Sequence, residues 1–250
     1  MKNVTYSQYF LGDRPAWTPY QMQSQVSLWL DASVTSSLSL SGSSVTQWNS
    51  LLGGVNVVQA TGANQPLYAA TGFNGRPCVD WGNAANTRFL QTTTTITFLH
   101  VWFMVRYSSG AAASWATNNP TVAQGETNAN ASTLIASGTG TTVWSGAVAM
   151  TGNLNGGTVG GLANATAFPF PESLWGGYKN IAYTDTVNIG RHSTAAPRNW
   201  WGPIAEVLML STRASEGDRQ RVEGYMMWKW GLQANLPVSH PYKNAPPLVA

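Results

Sequence analysis

Acidic side chains are few in this chain, and their spacing limits the chemistry that they could support. The 250 residues include ten of them: Asp13, Asp31, Asp80, Glu126, Glu172, Asp185, Glu206, Glu216, Asp218 and Glu223. Retaining glycoside hydrolysis needs two carboxyl groups about 5–5.5 Å apart. The i, i+2 pair Glu216 and Asp218 lies in the first turn of a predicted helix, where carboxylates favour the helix dipole. No predicted strand carries two acids, so we expect no catalytic residues and no enzyme activity, although acids from separate strands could still converge.

Metal and cofactor chemistry also lacks the residue groupings that it needs. Hard cations require several clustered oxygen ligands, but Asp31, Asp80 and Asp185 are isolated and no D-x-[DN] spacing occurs. Zinc requires clustered Cys and His, and the chain has one Cys and three His. There is no phosphate loop, G-x-S-x-G elbow or nucleophile–base spacing. We expect no metal and no cofactor, and leave open a weak calcium site built from backbone carbonyls.

Aromatic side chains are the remaining candidates, because the face of a Trp or Tyr ring can stack on a neutral sugar. Trp115, Trp144, Trp175 and Tyr178 lie beside Gly, Ser and Asn, in positions that are typical of loops. We predict these four as glycan-binding residues; the alternative is that their rings cap the core. His100 has no acidic or nucleophilic neighbour in its apolar strand, so we interpret it as a packed core or rim residue.

The composition predicts a folded protein with a polar but weakly charged surface. Hydrophobic residues make up 43% of the chain and charged residues 9%, with 12 Trp, which can bury a substantial core. The net charge of +3 comes from scattered Lys and Arg, so we expect no nucleic-acid binding. Cys78 is alone, which allows no intrachain disulfide. The N-terminus lacks an apolar signal core, and no segment approaches a membrane span, so we expect neither export by a signal peptide nor membrane association.

Two apolar runs in the sequence predict central strands, and one helix is predicted after the second run. Residues 95–106 have no polar face and predict an interior strand, and residues 204–210 predict a second strand covered on both faces. The helix that follows can be capped by Ser215 and stopped by Gly231. Its apolar face comprises Val222, Tyr225, Met226 and Trp230.

The charges near this helix are interpreted as structural. Glu206 lies in mid-strand between apolar neighbours, so it should find a hydrogen-bond donor if it is buried. Arg219 and Glu223 stand at i, i+4 and are expected to pair on the helix surface.

Short motifs at both ends of the chain follow one another in a recognisable order. They are L-D-A-S at 30–33, V-T-Q-W at 45–48, Q-P at 65–66, G-R-P-C-V-D-W-G at 75–82, I-G-R at 189–191, G-P-I-A-E-V-L-M-L at 202–210, E-G-D-R-Q-R-V-E-G-Y at 216–225, K-W-G-L at 229–232 and L-P-V-S-H-P-Y at 236–242. This series resembles the concanavalin A-like lectin/glucanase (LamG-type) jelly-roll domains of bacteriophage virion structural proteins. The resemblance covers about residues 28–105 and 187–245, and the middle of the chain does not share it.

The resemblance implies an all-β fold: a concanavalin A-like antiparallel β-sandwich (jelly roll) with one C-terminal α-helix. We divide the chain into an N-terminal arm or lead-in at 1–25, a β-sandwich domain with the terminal helix at 26–232, and an extended Pro-rich tail at 233–250. The arm either docks on a neighbouring subunit or packs on its own sandwich, and the tail is expected to pack back on the domain. The family also has an acid at the I-A-E position, which implies a role for Glu206 in holding the fold.

The function implied by the resemblance is that of a non-enzymatic bacteriophage virion structural protein. It would be located in the virion, as capsid decoration or as a tail fibre or tip component. The expected partners are other virion proteins of the capsid or tail, copies of the same chain in a homo-oligomer, and possible host surface glycans. Two alternatives stay open: a receptor-binding lectin module independent of the capsid, and a glycan hydrolase.

Overall fold

A computed structural model describes residues 15–82, 88–108, 121–127, 134–136, 150–159, 170–191 and 199–249. These residues form a curled antiparallel β-sheet and one α-helix, so the chain is mostly β, as the sequence predicts. The strands are β1 (Val26–Asp31), β2 (Leu38–Ser41), β3 (Ser44–Asn49), β4 (Asn56–Val58), β5 (Leu67–Phe73), β6 (Arg76–Asp80), β7 (Leu90–Thr92), β8 (Ile96–Tyr107), β9 (Thr121–Gly125), β10 (Leu134–Ala136), β11 (Met150–Leu154), β12 (Gly157–Val159), β13 (Phe170–Asp185), β14 (Val187–Ile189) and β15 (Pro203–Leu210), and helix α1 is Glu216–Lys229.

The strands are hydrogen-bonded in an order that differs from their order in the chain. The sheet runs β10-β9-β14-β7-β4-β3-β5-β6-β15-β8-β13-β11-β12, while β1 pairs with β15 and β2 with β3. Every pairing among the described strands is antiparallel. The long strands β8 and β13 lie side by side, with β15 on the other edge of β8. This arrangement places the turn from β15 into α1 close to both long strands.

Strand β8 separates two apolar clusters, because successive side chains of a strand point to opposite faces. Val101, Phe103 and Val105 belong to an inner cluster that joins strands from both halves of the sheet. Trp102 and Met104 belong to an outer cluster that also contains the apolar side chains of α1. Both faces of β8 are therefore covered, which confirms the prediction of an interior strand and explains why its sequence has no polar face.

Helix α1 begins and ends where the sequence predicts. The Ser215 side chain accepts a hydrogen bond from the backbone N–H of Asp218 at 3.2 Å, and Gly231 follows the helix with φ of 73°, the left-handed region that favours glycine. Val222, Met226 and Trp230 are completely buried against the outer face of the sheet. Burial of this face is what fixes the helix, since an isolated helix of this length is marginal in water.

The two ends of the described chain pack on each other and on α1. The backbone N–H of Trp17 donates to the carbonyl of Pro247 at 2.9 Å, and that of Val249 donates to Pro15 at 2.9 Å. The Trp228 indole donates to the carbonyl of Tyr242 at 2.8 Å. Residues 15–25 thus contact their own domain, and the tail packs back mainly on α1. Residues 1–14 of the predicted arm lie outside the described residues.

The tail also changes the environment of a predicted surface ion pair. Arg219 and Glu223 do pair, with Nη1 2.6 Å from Oε1, but the Glu223 side chain is completely buried. His240 of the tail lies over it, with Nε2 3.3 Å from Oε2 of Glu223. The prediction that this pair lies on the helix surface is wrong, because the tail covers that part of α1.

Candidate functional site

A cavity of about 390 Å³ lies beside the N-terminal end of α1. Its sheet side is formed by His100 of β8, Thr151 and Asn153 of β11, and Tyr178 of β13. Its helix side is formed by residues of the turn after β15 and of the first turns of α1: Arg213, Ala214, Ser215, Glu216 and Arg219. This volume falls within the range of about 300–1,000 Å³ that is usual for small-molecule sites.

Strand register brings the sheet side of the cavity together. Tyr178 stands directly opposite His100 in the β8–β13 pairing, and Leu210 stands opposite His100 on the β15 side. The rings of His100 and Tyr178 meet edge to face, with centroids 5.3 Å apart. Because β15 ends at Leu210, the chain that leaves it crosses above His100 and delivers Arg213 to the same place.

His100 is buried and held as a neutral donor. Its ring stacks on Trp102 with centroids 3.9 Å apart, and its Nδ1 accepts a hydrogen bond from the backbone N–H of Ala214 at 3.3 Å. Burial, assisted by the charges of Arg219 and Arg213, lowers the pKa of His100 from 6.5 to about 3. The imidazole is therefore neutral at pH 7, and since Nδ1 accepts, its proton is on Nε2. The interpretation of His100 as a packed residue is confirmed.

The Nε2 atom of His100 has no hydrogen-bond partner within the described ranges. An unpaired buried donor costs about 1–3 kcal/mol of free energy, and most buried polar atoms avoid this cost by finding a partner. His100 lines the cavity, so an acceptor that entered the cavity could satisfy this N–H.

Arg213 places a cation over the aromatic ring of the site. Its guanidinium carbon lies 3.7 Å from the Tyr178 ring centroid, and Nη2 donates a hydrogen bond to the Tyr178 hydroxyl at 2.6 Å. Within the described chain no carboxylate forms a salt bridge with Arg213. The guanidinium is thus oriented but not neutralised, and its planar fork of N–H donors suits the oxygens of a carboxylate or phosphate.

Arg219 and Glu216, by contrast, neutralise each other at the rim. Arg219 contacts Glu216 at 2.5 Å and Glu223 at 2.6 Å, and the hydrogen bonds that it donates to these carboxylates, above all those to Glu216, raise the pKa of Arg219. The hydrogen bond from Arg219 lowers the pKa of Glu216. Glu216 is therefore ionised and paired at pH 7, which is the wrong state for a general acid.

Of the four predicted glycan-binding residues, only Tyr178 is seen at this cavity. Trp175 lies in the middle of β13, paired with Phe103, and its side chain is completely buried in the inner cluster. The prediction that Trp175 and Tyr178 lie in loops is wrong, because both belong to β13, and the Trp175 ring is not accessible to a sugar. Trp115 and Trp144 lie outside the described residues. Arg213, Thr151 and Asn153 were not predicted as site residues, because nothing local in the sequence links β11 to the turn before α1.

Two acids from separate strands do converge elsewhere, in a buried cluster under α1 formed by Asp31, Glu206, Lys229, Trp29 and Trp230. Lys229 Nζ lies 2.5 Å from Oδ2 of Asp31 and 2.8 Å from Oε2 of Glu206. The indoles of Trp29 and Trp230 donate to Glu206 at 2.7 and 2.6 Å. The expectation that a buried Glu206 finds donors is confirmed.

Electrostatics in this buried cluster are those of a structural contact. Burial raises the pKa of Glu206, and the charge of Lys229 opposes it. Burial alone would lower the pKa of Lys229, but Asp31 and Glu206 outweigh it and hold that pKa above its usual value. Since Asp31 and Glu206 are completely buried and Lys229 nearly so, a substrate has no access to these carboxylates.

The described residues contain no group of three or more His, Cys, Asp or Glu that could hold a metal ion. No helix in the described part of the chain has the length and apolarity needed to cross a bilayer.

No family model, curated protein or solved structure matches the chain. Its interpretation therefore depends on the motifs, the fold and the cavity.

Proposed function

We propose that this chain is a non-enzymatic structural component of a bacteriophage particle, with a concanavalin A-like jelly-roll fold. It is displayed on the particle surface, as capsid decoration or in a tail fibre or tip, next to other virion proteins and copies of itself. The cavity at His100, Tyr178 and Arg213 gives it a place to bind a host surface glycan.

The observation that carries the proposal is that the motifs on which the family resemblance rests contact one another in the fold, although they lie far apart in the chain. Asp31 of L-D-A-S, Glu206 of I-A-E and Lys229 of K-W-G-L contact one another in the buried cluster. Gly190 of I-G-R packs so closely on Trp81, the aromatic residue of the G-R-P-C-V-D-W-G motif, that a Cβ there would lie 1.8 Å from its Nε1. Motifs far apart in the chain thus supply each other's packing partners, which supports their interpretation as one domain signature.

The glycan-binding role is supported by the chemistry of the cavity. Hydroxyl and amide groups come from Thr151, Asn153, Ser215 and Tyr178, and such groups bind sugar hydroxyls with few charges. Hydrolysis is the less favoured alternative, because Glu216, the acid that lines the cavity, is held in a salt bridge by Arg219.

Quantitative mass spectrometry of purified phage particles tests the proposal. A capsid decoration predicts a fixed and high copy number relative to the major capsid protein, and a tail fibre or tip predicts a fixed low one. Absence of the chain from particles that contain the capsid and tail proteins would overturn the virion assignment. A lectin independent of the particle would then be the better description if glycan binding persists.

A further inference from the structure

The cavity beside α1 carries two hydrogen-bond donors whose natural partner is an anion. Arg213 has no carboxylate partner in the described residues, and Nε2–H of the buried His100 has no acceptor there. Both side chains line the same cavity. The cavity also adjoins the N-terminal end of α1, the positive end of the helix dipole. We propose that this cavity binds a saccharide through a carboxylate, as in a hexuronic acid, with Arg213 and His100 as the groups that recognise the carboxylate.

The charge of the lining favours a single negative charge. Arg213 and Arg219 contribute two positive charges to the lining and Glu216 contributes one negative charge. Arg219 is paired with Glu216, and Glu223, which also contacts Arg219, is completely buried and does not line the cavity. One cation, Arg213, is thus left to be neutralised. A carboxylate supplies one negative charge, whereas a phosphate monoester carries close to two at pH 7 and would leave one unpaired near Glu216.

The other side chains that line the cavity favour a ligand in which the carboxylate is attached to a larger group that carries hydroxyls. The cavity of about 390 Å³ is much larger than a carboxylate, and its lining also includes Thr151 and Asn153 of β11, with Thr151 paired to Tyr178 in the sheet. The Ser215 and Tyr178 hydroxyls stand at the same cavity. A sugar ring fits this mixture of hydroxyl, amide and aromatic groups. The inference rests on the glycan-binding part of the proposed function and narrows it to acidic sugars.

The tyrosine has a positioning role in this arrangement. Its hydroxyl accepts the Arg213 Nη2 hydrogen bond at 2.6 Å, and its ring lies under the guanidinium. One face of Tyr178 is therefore occupied by Arg213, so the residue orients the cation for the carboxylate. Tyr178→Phe keeps the ring and the charge of Arg213 but removes the hydroxyl. It therefore measures how much the hydrogen bond between the hydroxyl and Arg213 contributes to binding.

Calorimetric titration of the full chain with four probes tests the inference. Sodium glucuronate and sodium galacturonate are the acidic probes, glucuronamide is the neutral isostere, and sodium acetate is the anion without a sugar. We expect at least one uronate to bind at least about tenfold more tightly than glucuronamide, because hydrogen bonds to a charged group are stronger than those to a neutral one. The same uronate should also bind at least about tenfold more tightly than acetate, which lacks the sugar ring. Arg213→Gln should weaken uronate binding at least about tenfold and Tyr178→Phe several-fold.

Arg221→Gln is the control, because Arg221 is a partly exposed arginine on α1 that does not line the cavity; it should leave the affinity unchanged. Equal binding of the uronates and glucuronamide would overturn the acidic-sugar inference and leave glycan binding intact. Acetate binding as tight as uronate binding would overturn the sugar part. Failure of both uronates to bind, or equal weakening by Arg213→Gln and Arg221→Gln, would also overturn it, while the copy number in particles would remain an independent test of the virion assignment.

Discussion

Lys229 of helix α1 contacts Asp31 of strand β1, with Nζ 2.5 Å from Oδ2, although the two residues are 198 positions apart in the chain. The contact joins the first strand of the fold to its terminal helix. Glu206 of β15 stands opposite Asp31 in the β1–β15 pairing and accepts a hydrogen bond from the same ammonium group at 2.8 Å. The buried cluster thus links three elements that meet only when the whole domain has folded.

Replacing the cation of this cluster should strongly destabilise the domain. Lys229→Met leaves the carboxylates of Asp31 and Glu206 buried without their common partner, and removal of one member of a buried ion pair typically costs about 3–5 kcal/mol. The free energy of unfolding, measured by urea titration, should fall by that amount.

The matched control is Arg221→Met, which removes a half-exposed cation paired with Asp218 on the same helix. Exposed ion pairs contribute about 0–1 kcal/mol, so this variant should lose at most that much. Equal stability losses in the two variants would show that the buried cluster does not hold α1 to the sheet.

Acid should destabilise the protein through His100. The unfolded imidazole takes up a proton below pH 6.5, whereas the folded one resists protonation until about pH 3 because it is buried near Arg219 and Arg213. Between these values the unfolded state binds more protons, so stability is full above pH 6.5 and falls as the pH is lowered towards 3. The total loss from this residue is as much as roughly 5 kcal/mol.

The measurement is urea unfolding at several pH values between 7.5 and 4 for the original chain and for His100→Gln, which cannot titrate. The stability difference between the two proteins should shrink as the pH falls, since the carboxylates titrate alike in both. A difference that stays constant over this range would contradict the assigned neutral state of His100.

Two glycines of α1 distinguish helix propensity from packing by the tail. A Cβ at Gly224 would lie 2.6 Å from Cβ of Tyr242, whereas at Gly217 the nearest atom is 3.9 Å away, at the end of Arg221. Gly217→Ala should therefore stabilise the protein by up to about 1 kcal/mol, because alanine is the better helix former. Gly224→Ala should destabilise it by about 1–3 kcal/mol, the usual cost of overpacking.

Thermal or urea unfolding of the two alanine variants gives the comparison. Stabilisation by both substitutions would mean that the tail does not pack on α1 in solution.

Close packing of Gly190 on Trp81 gives a second test of the fold, now in the inner cluster. Gly190 has φ of 91°, and a Cβ there would collide with the Trp81 indole. Gly190→Ala should cost more than about 2 kcal/mol of stability. Gly62→Ala, which has ordinary φ and open space around it, should change the stability by less than about 0.5 kcal/mol. Similar effects of the two substitutions would argue against this contact.

Local signals in the sequence were sufficient for α1 and the central strands. The Ser215 cap, the Gly231 stop and the apolar run of β8 each depend on residues within one element, and the structure places them as predicted. The sequence predicts that a hydrogen-bond donor faces Glu206, because a buried carboxylate needs hydrogen-bond donors. The identity of the donors could not be predicted, since Lys229 and the two Trp come from other elements.

The failures arise where distant residues decide the local structure. The neighbouring Gly176 and Gly177 predict a loop at Trp175, yet these glycines lie within β13. A Cβ at Gly176 would lie 2.7 Å from Cδ1 of Trp102, so this glycine makes room for a neighbouring ring and does not form a turn. Helix periodicity predicts a surface position for the Arg219–Glu223 pair, because it carries no information about the tail that covers Glu223.

The cavity could be predicted only in part for the same reason. The polar surroundings of Tyr178 predict a binding residue, but its partners His100 and Arg213 come from β8 and from the turn after β15. Register between strands brings them together, and register is not visible in the spacing of residues along one segment.

The proposal that this protein binds a glycan without cleaving it is tested most directly by incubating the protein with polygalacturonate and with polysaccharide purified from the surface of the proposed host cell. Bound polymer and new reducing ends are then measured in the same samples. We expect saturable binding to at least one polymer, weakened by Arg213→Gln, with polymer length unchanged after prolonged incubation. Release of reducing ends that depends on Glu216, and disappears in Glu216→Gln, would contradict the account.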